Sequence, residues 1–172
     1  MTADAIPATV RAQSNRVLLV ALVATVAMLF TAFAAAYMER AGARGWERMD
    51  LPSLLWFNTL VLSLSSAAAE IARRSRAVRW ALPAAIALGI LFLAGQGFAW
   101  AELRAQGVFL PTSPYASFFY LLTAIHGVHV AAALVALFVA RTRAPILGLA
   151  VGFWHFMGIV WLYVLLILKV LG

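Results

Sequence analysis

Three histidines carry the richest chemistry in this sequence. His126 and His129 stand three apart, a spacing that puts both on one face of a helix. His155 follows in the stretch Phe153-Trp154-His155-Phe156-Met157. Imidazole suits iron, copper and zinc, and a pair of histidines from facing helices can hold a b-type haem. One reading is therefore axial ligation by His155 with His126 or His129, as in a small b-type cytochrome. The other is a hydrogen-bonded polar knot of His126, His129, His155 and Thr123 that locks two helices together. With no carboxylate or thiolate beside them the three histidines make a poor metal site, and the knot is favoured. The chain is accordingly expected to bind no haem or metal itself. It has no cysteine, which removes disulfides, iron–sulfur clusters, thiolate-bridged copper and c-type haem attachment. No Ser-His-Asp arrangement, phosphate loop or carboxylate pair is present, so an independent catalytic site is not expected.

The elements that must position these histidines are apolar. The chain has 172 residues, 65% of them hydrophobic and only 11% charged, and a mean hydropathy of +0.97. A soluble domain of this size carries roughly twice that charge. Five uncharged runs, at 17–37, 51–69, 80–101, 115–140 and 144–168, are each long enough to cross a bilayer as a helix. Each must be helical, because lipid offers no partner to a free backbone group. The expectation is an all-α, polytopic bundle of five transmembrane helices over residues 17–172, preceded by a polar tail at 1–16. The first run continues past the length of a signal-peptide apolar region, so it is read as a retained span. At 1.5 Å per residue His126 lies about 16 Å from one end of its run, and His155 about 15–17 Å from the opposite end of its own. They are expected to meet near the membrane centre.

The arginines set the orientation. Arg11, Arg16, Arg73, Arg74, Arg76, Arg79, Arg141 and Arg143 fall on one side of the spans, and Arg40, Arg44, Arg48, Arg104 and Lys169 on the other. The positive-inside rule then puts the N-terminus in the cytoplasm and the C-terminus outside. The net charge of +7 does not point to nucleic acid, because the basic residues sit in short clusters between apolar runs and form no continuous face for a phosphate backbone.

Within the spans the remaining polar groups read as packing devices. Asn58, Thr59, Ser63 and Ser66 are expected to form one stripe on the second helix, hydrogen-bonding to neighbours. Gly148 and Gly152 have the small-xxx-small spacing that lets helices approach closely. Glu70 lies at the cytoplasmic end of its run, where Arg73 or Arg74 is its expected partner. Trp46, Trp56 and Trp100 fall where an interfacial aromatic belt belongs.

Three stretches together resemble a family. The run from Pro114 to Val130, with an aromatic helix start, Thr123 and His126-Gly127-Val128-His129-Val130, resembles the subunit III motif of haem–copper oxidases. The run Trp154-His155-Phe156 with Val160-Trp161 resembles that family's last helix, and Leu55-Trp56-Phe57-Asn58-Thr59 with Ser65-Ser66 resembles an earlier one. Longer members have seven helices, and the five here resemble the last five. Where those members carry an intramembrane Glu, Phe30-Thr31-Ala32-Phe33 stands here, and Gly158 replaces an Asp common after Trp-His-Phe. The resemblance implies a non-catalytic subunit of cytochrome c oxidase in a bacterial inner membrane, flanking and stabilising the catalytic subunit during oxygen reduction in aerobic respiration. It implies haems and copper in partner subunits I and II rather than in this chain, and phospholipid as the one small molecule held nearby. Accessory subunits of nitric oxide reductase look similar and are the alternative.

Overall fold

The computed structural model describes residues 8–41, 44–47, 49–75 and 77–170. Residues 1–7 of the expected tail, with Arg48 and Arg76, lie outside them. Five helices account for the described chain: α1 (Ala8–Arg40), α2 (Leu54–Arg74), α3 (Ala81–Ala105), α4 (Pro114–Ala140) and α5 (Leu147–Val170). A single 3-10 turn, Ala144–Ile146, leads into α5. All five helices are long and apolar enough to cross a membrane. Residues 8–16 of the expected tail are helical, since α1 begins at Ala8.

Outward-facing positions identify the solvent these helices are built for. Met28, Val128, Phe98, Val135 and Ile159 are all exposed. A water-soluble bundle would present polar residues at such sites, whereas lipid is matched by apolar ones. The chain is a multi-pass membrane protein.

Helix ends follow from local sequence. Ser113 has an extended backbone and its hydroxyl accepts from the Ala116 N–H at 3.1 Å, with Pro114 in the first turn. This is the N-cap and proline arrangement expected before α4. At the end of α3, Gly107 takes φ +80°, and the Val108 N–H reaches back to the Leu103 carbonyl at 2.9 Å. That closure needs a left-handed residue, which glycine supplies without steric penalty.

Successive helices run antiparallel. Helices α2 and α3 form the most extensive pair, and α5 packs against α4, α2 and α1. Helix α5 is thus the centre of the bundle. Trp154 and Trp161 on it are fully buried, together with Phe30, Phe92 and Phe119 from three other helices. The end of the bundle where α2 and α4 finish and α3 and α5 start carries Arg73, Arg74, Arg79, Arg141 and Arg143, and is called the arginine end below.

Candidate functional site

The three histidines do not form the expected knot. His126 is fully buried. Its ring stacks on Trp161 at 5.2 Å between centroids and is edged by Phe92 at 5.9 Å and Phe30 at 6.3 Å. Neither of its ring nitrogens has a hydrogen-bond partner among the described residues. His129 turns back on its own helix, donating from Nδ1 to the Ile125 carbonyl at 2.8 Å, with Phe30 against its ring at 6.0 Å. His155 faces α2, where its Nε2 donates to the Glu70 carboxylate at 3.3 Å. Thr123 belongs to a different contact again. It donates to the Phe119 carbonyl at 2.7 Å and accepts from the Trp100 indole at 3.1 Å, tying α3 to α4.

The depth count misplaced His155 because it ignored side-chain direction. Every Cα–Cβ bond in a helix tilts toward the helix N-terminus. Helix α5 starts at the arginine end, so His155 leans toward that end. Helix α2 finishes there, so Glu70 leans away from it, toward the bundle interior. The two side chains converge from opposite directions. The Glu70 carboxylate is also held by Arg73 through Nε at 2.8 Å and Nη2 at 2.6 Å, and by Arg74 through Nε at 2.6 Å. The expected arginine pairing is present, and a histidine from α5 completes it. One carboxylate thus ties two cations on its own helix to an imidazole on another.

Trp161 is the residue whose importance sequence reasoning missed. Its indole N–H donates to Thr59 of α2 at 3.0 Å, its face stacks on His126 of α4, and Phe92 of α3 meets it edge-on at 5.1 Å. A single side chain therefore joins α5 to three other helices. A buried Trp needs a partner for its N–H, and Thr59, in the polar series of α2, was the available signal.

The expected polar stripe on α2 splits in two. Asn58 and Ser65 face α3, donating to the Phe92 carbonyl at 3.4 Å and the Ala85 carbonyl at 2.7 Å. Thr59, Ser63 and Ser66 face α5 instead. With His155, Gly158 and Trp161 they line a shallow cavity of about 300 Å3. Thr59 and Ser63 bond back to carbonyls of their own helix at 2.8 Å, which satisfies hydroxyls that lipid could not.

The two glycines expected at a close contact divide. A side chain at Gly148 would meet nothing within 4 Å, whereas Gly152 lies against Leu19 of α1. Tighter approaches occur at two glycines of α3. A Cβ at Gly89 would lie 2.6 Å from both Leu134 and Trp154, and one at Gly95 would collide with the Asn58 amide. The tryptophans also divide. Trp56 is exposed, as an interfacial residue is, but Trp46 packs edge-on against Tyr37 at 4.9 Å and Tyr115 at 5.7 Å.

Axial ligation requires His155 to face His126 or His129. The side chains face different helices, and three aromatic rings enclose His126. Among the described residues no group of three histidines or carboxylates could hold a metal ion. In this arrangement His155 is not opposed to His126 or His129 as axial ligation would require.

Comparison with known proteins decides the family. Over 164 residues, 85% of the chain, it is 31% identical to the cytochrome bo(3) ubiquinol oxidase subunit 3 of Pseudomonas aeruginosa and covers 78% of that protein. The chain belongs to the haem–copper oxidase subunit III family. To the cytochrome c oxidase subunit 3 of Corynebacterium diphtheriae this subunit III relative is 29% identical over 153 residues, 79% of its own length and 74% of the other. To the probable cytochrome c oxidase subunit 3 of Mycobacterium leprae it is 36% identical over 85 residues, 44% of its length. In that match the chain spans 42% of the mycobacterial protein. No family model matches the chain. The subunit III resemblance drawn from the histidine and tryptophan motifs therefore holds.

Proposed function

We propose that this chain is the non-catalytic subunit III of a haem–copper cytochrome c oxidase in a bacterial inner membrane, with its N-terminus in the cytoplasm. It flanks the catalytic subunit I and the copper-bearing subunit II, and stabilises them during oxygen reduction. The observation that carries the oxidase reading is the identity with a ubiquinol oxidase subunit 3 over 85% of the chain, and the choice of cytochrome c as donor is supported by the match to a cytochrome c oxidase subunit 3 over 79% of it. The side chains support a role without redox chemistry. Two haems and a copper call for many imidazole ligands. The three histidines here face an indole, a backbone carbonyl and a carboxylate. The arginine end would be the cytoplasmic end under the positive-inside rule.

The test is purification of a tagged chain from its native membrane. A haem-containing complex should co-purify, and cytochrome c should reduce it. Removing this chain should leave the initial turnover per haem close to normal and shorten the active lifetime of the complex. A stoichiometric Soret band from this chain alone would overturn the reading, and so would an unchanged lifetime in its absence.

A further inference from the structure

At the arginine end a second cavity, of about 350 Å3, is walled by the ends of four helices. Ala72 comes from the end of α2, Leu82 from the start of α3, Ala140 from the end of α4 and Leu147 from the start of α5. These helices pack in a closed circuit, α2 on α3, α3 on α4, α4 on α5 and α5 on α2. A cavity touched by the same end of all four opens along the bundle axis and not sideways into lipid. Its floor is apolar, since Ala72, Ala140 and Leu147 are buried. Its rim carries Arg79 and Arg141. Both are exposed, and neither meets a carboxylate among the described residues. Of the six acidic residues in the chain, Glu70 is the one described at this end, and both its oxygens are engaged by Arg73, Arg74 and His155. Arg141 lies over the Phe138 ring, 5.5 Å from its centre, a contact that steadies it without supplying a counter-charge. The dipoles of the two helices that begin here and the two that end here oppose each other, so the field at the cavity is that of the arginines.

We propose that this cavity receives an acidic segment of a neighbouring protein subunit, with an Asp or Glu set between Arg79 and Arg141 and an apolar residue beside it on the floor. Charge complementarity selects the carboxylate. A planar guanidinium pairs two oxygens of one carboxylate, and the two arginines offer such a fork from the α2–α3 connection and from the end of α4. The positive-inside rule accounts for the side on which arginines lie. It does not account for two of them at the rim of one cavity without a counter-charge. The floor selects a side chain over a free anion, for which apolar walls would be wasted. An apolar centre inside a charged rim is also the usual anatomy of a protein interface, and paired charges at the rim fix its register. The axial opening selects protein over phospholipid, whose acyl chains would have to pass between packed helices to reach the bilayer. The proposal rests on the reading above for the presence of a partner subunit, and adds where on this chain that partner is gripped and by what chemistry.

The experiment uses the purified, intact complex and the scarcity of amines in this chain. Lys169, at the opposite end, is its single lysine. Arg79→Lys and Arg141→Lys keep the charge, and each places an amine at the rim. A water-soluble carbodiimide activates a carboxylate touching that amine and joins the two as an amide, leaving as its urea, and mass spectrometry of the digest reads the partner. Each lysine should be coupled to an Asp or Glu of a co-purifying subunit. Arg143→Lys, at the same end but outside the cavity lining, should not be. Arg79→Gln with Arg141→Gln should raise the rate at which this chain leaves the complex by about tenfold, because losing a close charge pair acts on dissociation. Added salt should narrow that difference. Arg40→Gln with Arg44→Gln, an equal charge loss at the other end, should leave the rate unchanged. The lysine variants decide the matter where the glutamine variant fails to assemble. Absence of coupling to another subunit in an assembled complex would overturn the proposal. So would coupling to Asp4 of this chain alone, or loss of a bound phospholipid as the one change in the glutamine variant. Coupling to a subunit of a complex without haem would uphold the proposal and overturn the oxidase reading.

Discussion

Trp161 lies nearly face to face on His126, with 27° between the ring planes, and it does so while donating its own N–H to Thr59. The indole thereby uses its face for α4 and its edge for α2. The buried imidazole is packed as an aromatic surface, since neither nitrogen meets a hydrogen-bonding partner among the described residues.

That relationship predicts an order among substitutions. Trp161→Phe keeps a stacking ring and loses one interhelical hydrogen bond, which averages about 0.6 kcal/mol between membrane helices. Trp161→Ala removes the ring and should cost about 3–5 kcal/mol, as large aromatic deletions do in packed cores. Thermal unfolding of the complex in detergent checks both. Equal losses in the two variants would show that the ring contacts carry no weight.

His126→Phe should be better tolerated than His126→Ala. Stacked aromatic pairs contribute about 0.5–1.5 kcal/mol beyond area burial, and Phe retains the stack without a buried polar atom. The readout is recovery of this chain in the complex. Instability in His126→Phe as severe as in His126→Ala would mean that His126 holds a polar partner, such as an internal water.

The glycines of α3 should be intolerant and Gly148 tolerant. Gly89→Ala drives a methyl into Leu134 and Trp154, and Gly95→Ala drives one into Asn58. Overpacking of this kind costs about 1–3 kcal/mol. Gly148→Ala meets open space and should change the melting temperature little. Asn58→Ala should restore part of the Gly95→Ala loss, since it clears the colliding amide. Failure of that rescue would place the cause elsewhere than at the α2–α3 contact.

Glu70→Gln leaves Arg73, Arg74 and His155 with a weaker acceptor. The variant should melt earlier than the parent at low salt, and the difference should shrink as salt rises, because exposed charges are screened. His155→Gln keeps a donor toward Glu70 and should be the milder change. A salt-independent loss in Glu70→Gln would point to packing instead of charge.

Orientation is checked by reporters. A fusion after Gly172 should be active only on the outer side of the membrane, and one in the α2–α3 connection only in the cytoplasm. The reverse pattern would put the arginine end outside.

The fold was legible because its signals are long and one-dimensional. Five uncharged runs mark five helices, and proline and serine before Tyr115 mark the start of α4. The family was legible in the motif around His126 and Trp154. The site was less so, because contacts between helices depend on rotation and tilt that spacing alone leaves open. Counting residues put His155 beside His126, but the tilt of its Cα–Cβ bond takes it to Glu70. Asn58 and Thr59 are adjacent in sequence and face different helices. Of the small-residue pair Gly148 and Gly152 only Gly152 meets a neighbour, Leu19 of α1, and the tighter contacts lie at Gly89 and Gly95, whose partners come from other helices.

The packing order has a consequence for how the chain is made. Helix α1 finds its contacts with α5 and α4, the last elements of the described chain, whereas α2 and α3 pair directly as sequence neighbours. During synthesis α1 would therefore enter the bilayer as a lone helix, surrounded by lipid on every side, and wait there until α5 arrives to hold it. Its nearly uniform apolar surface, with Val17, Leu18, Val20 and Met28 all outward, suits that interval. Nascent chains arrested after α3 should show α1 cross-linking to lipid and not to α2, and arrest after α5 should reverse this.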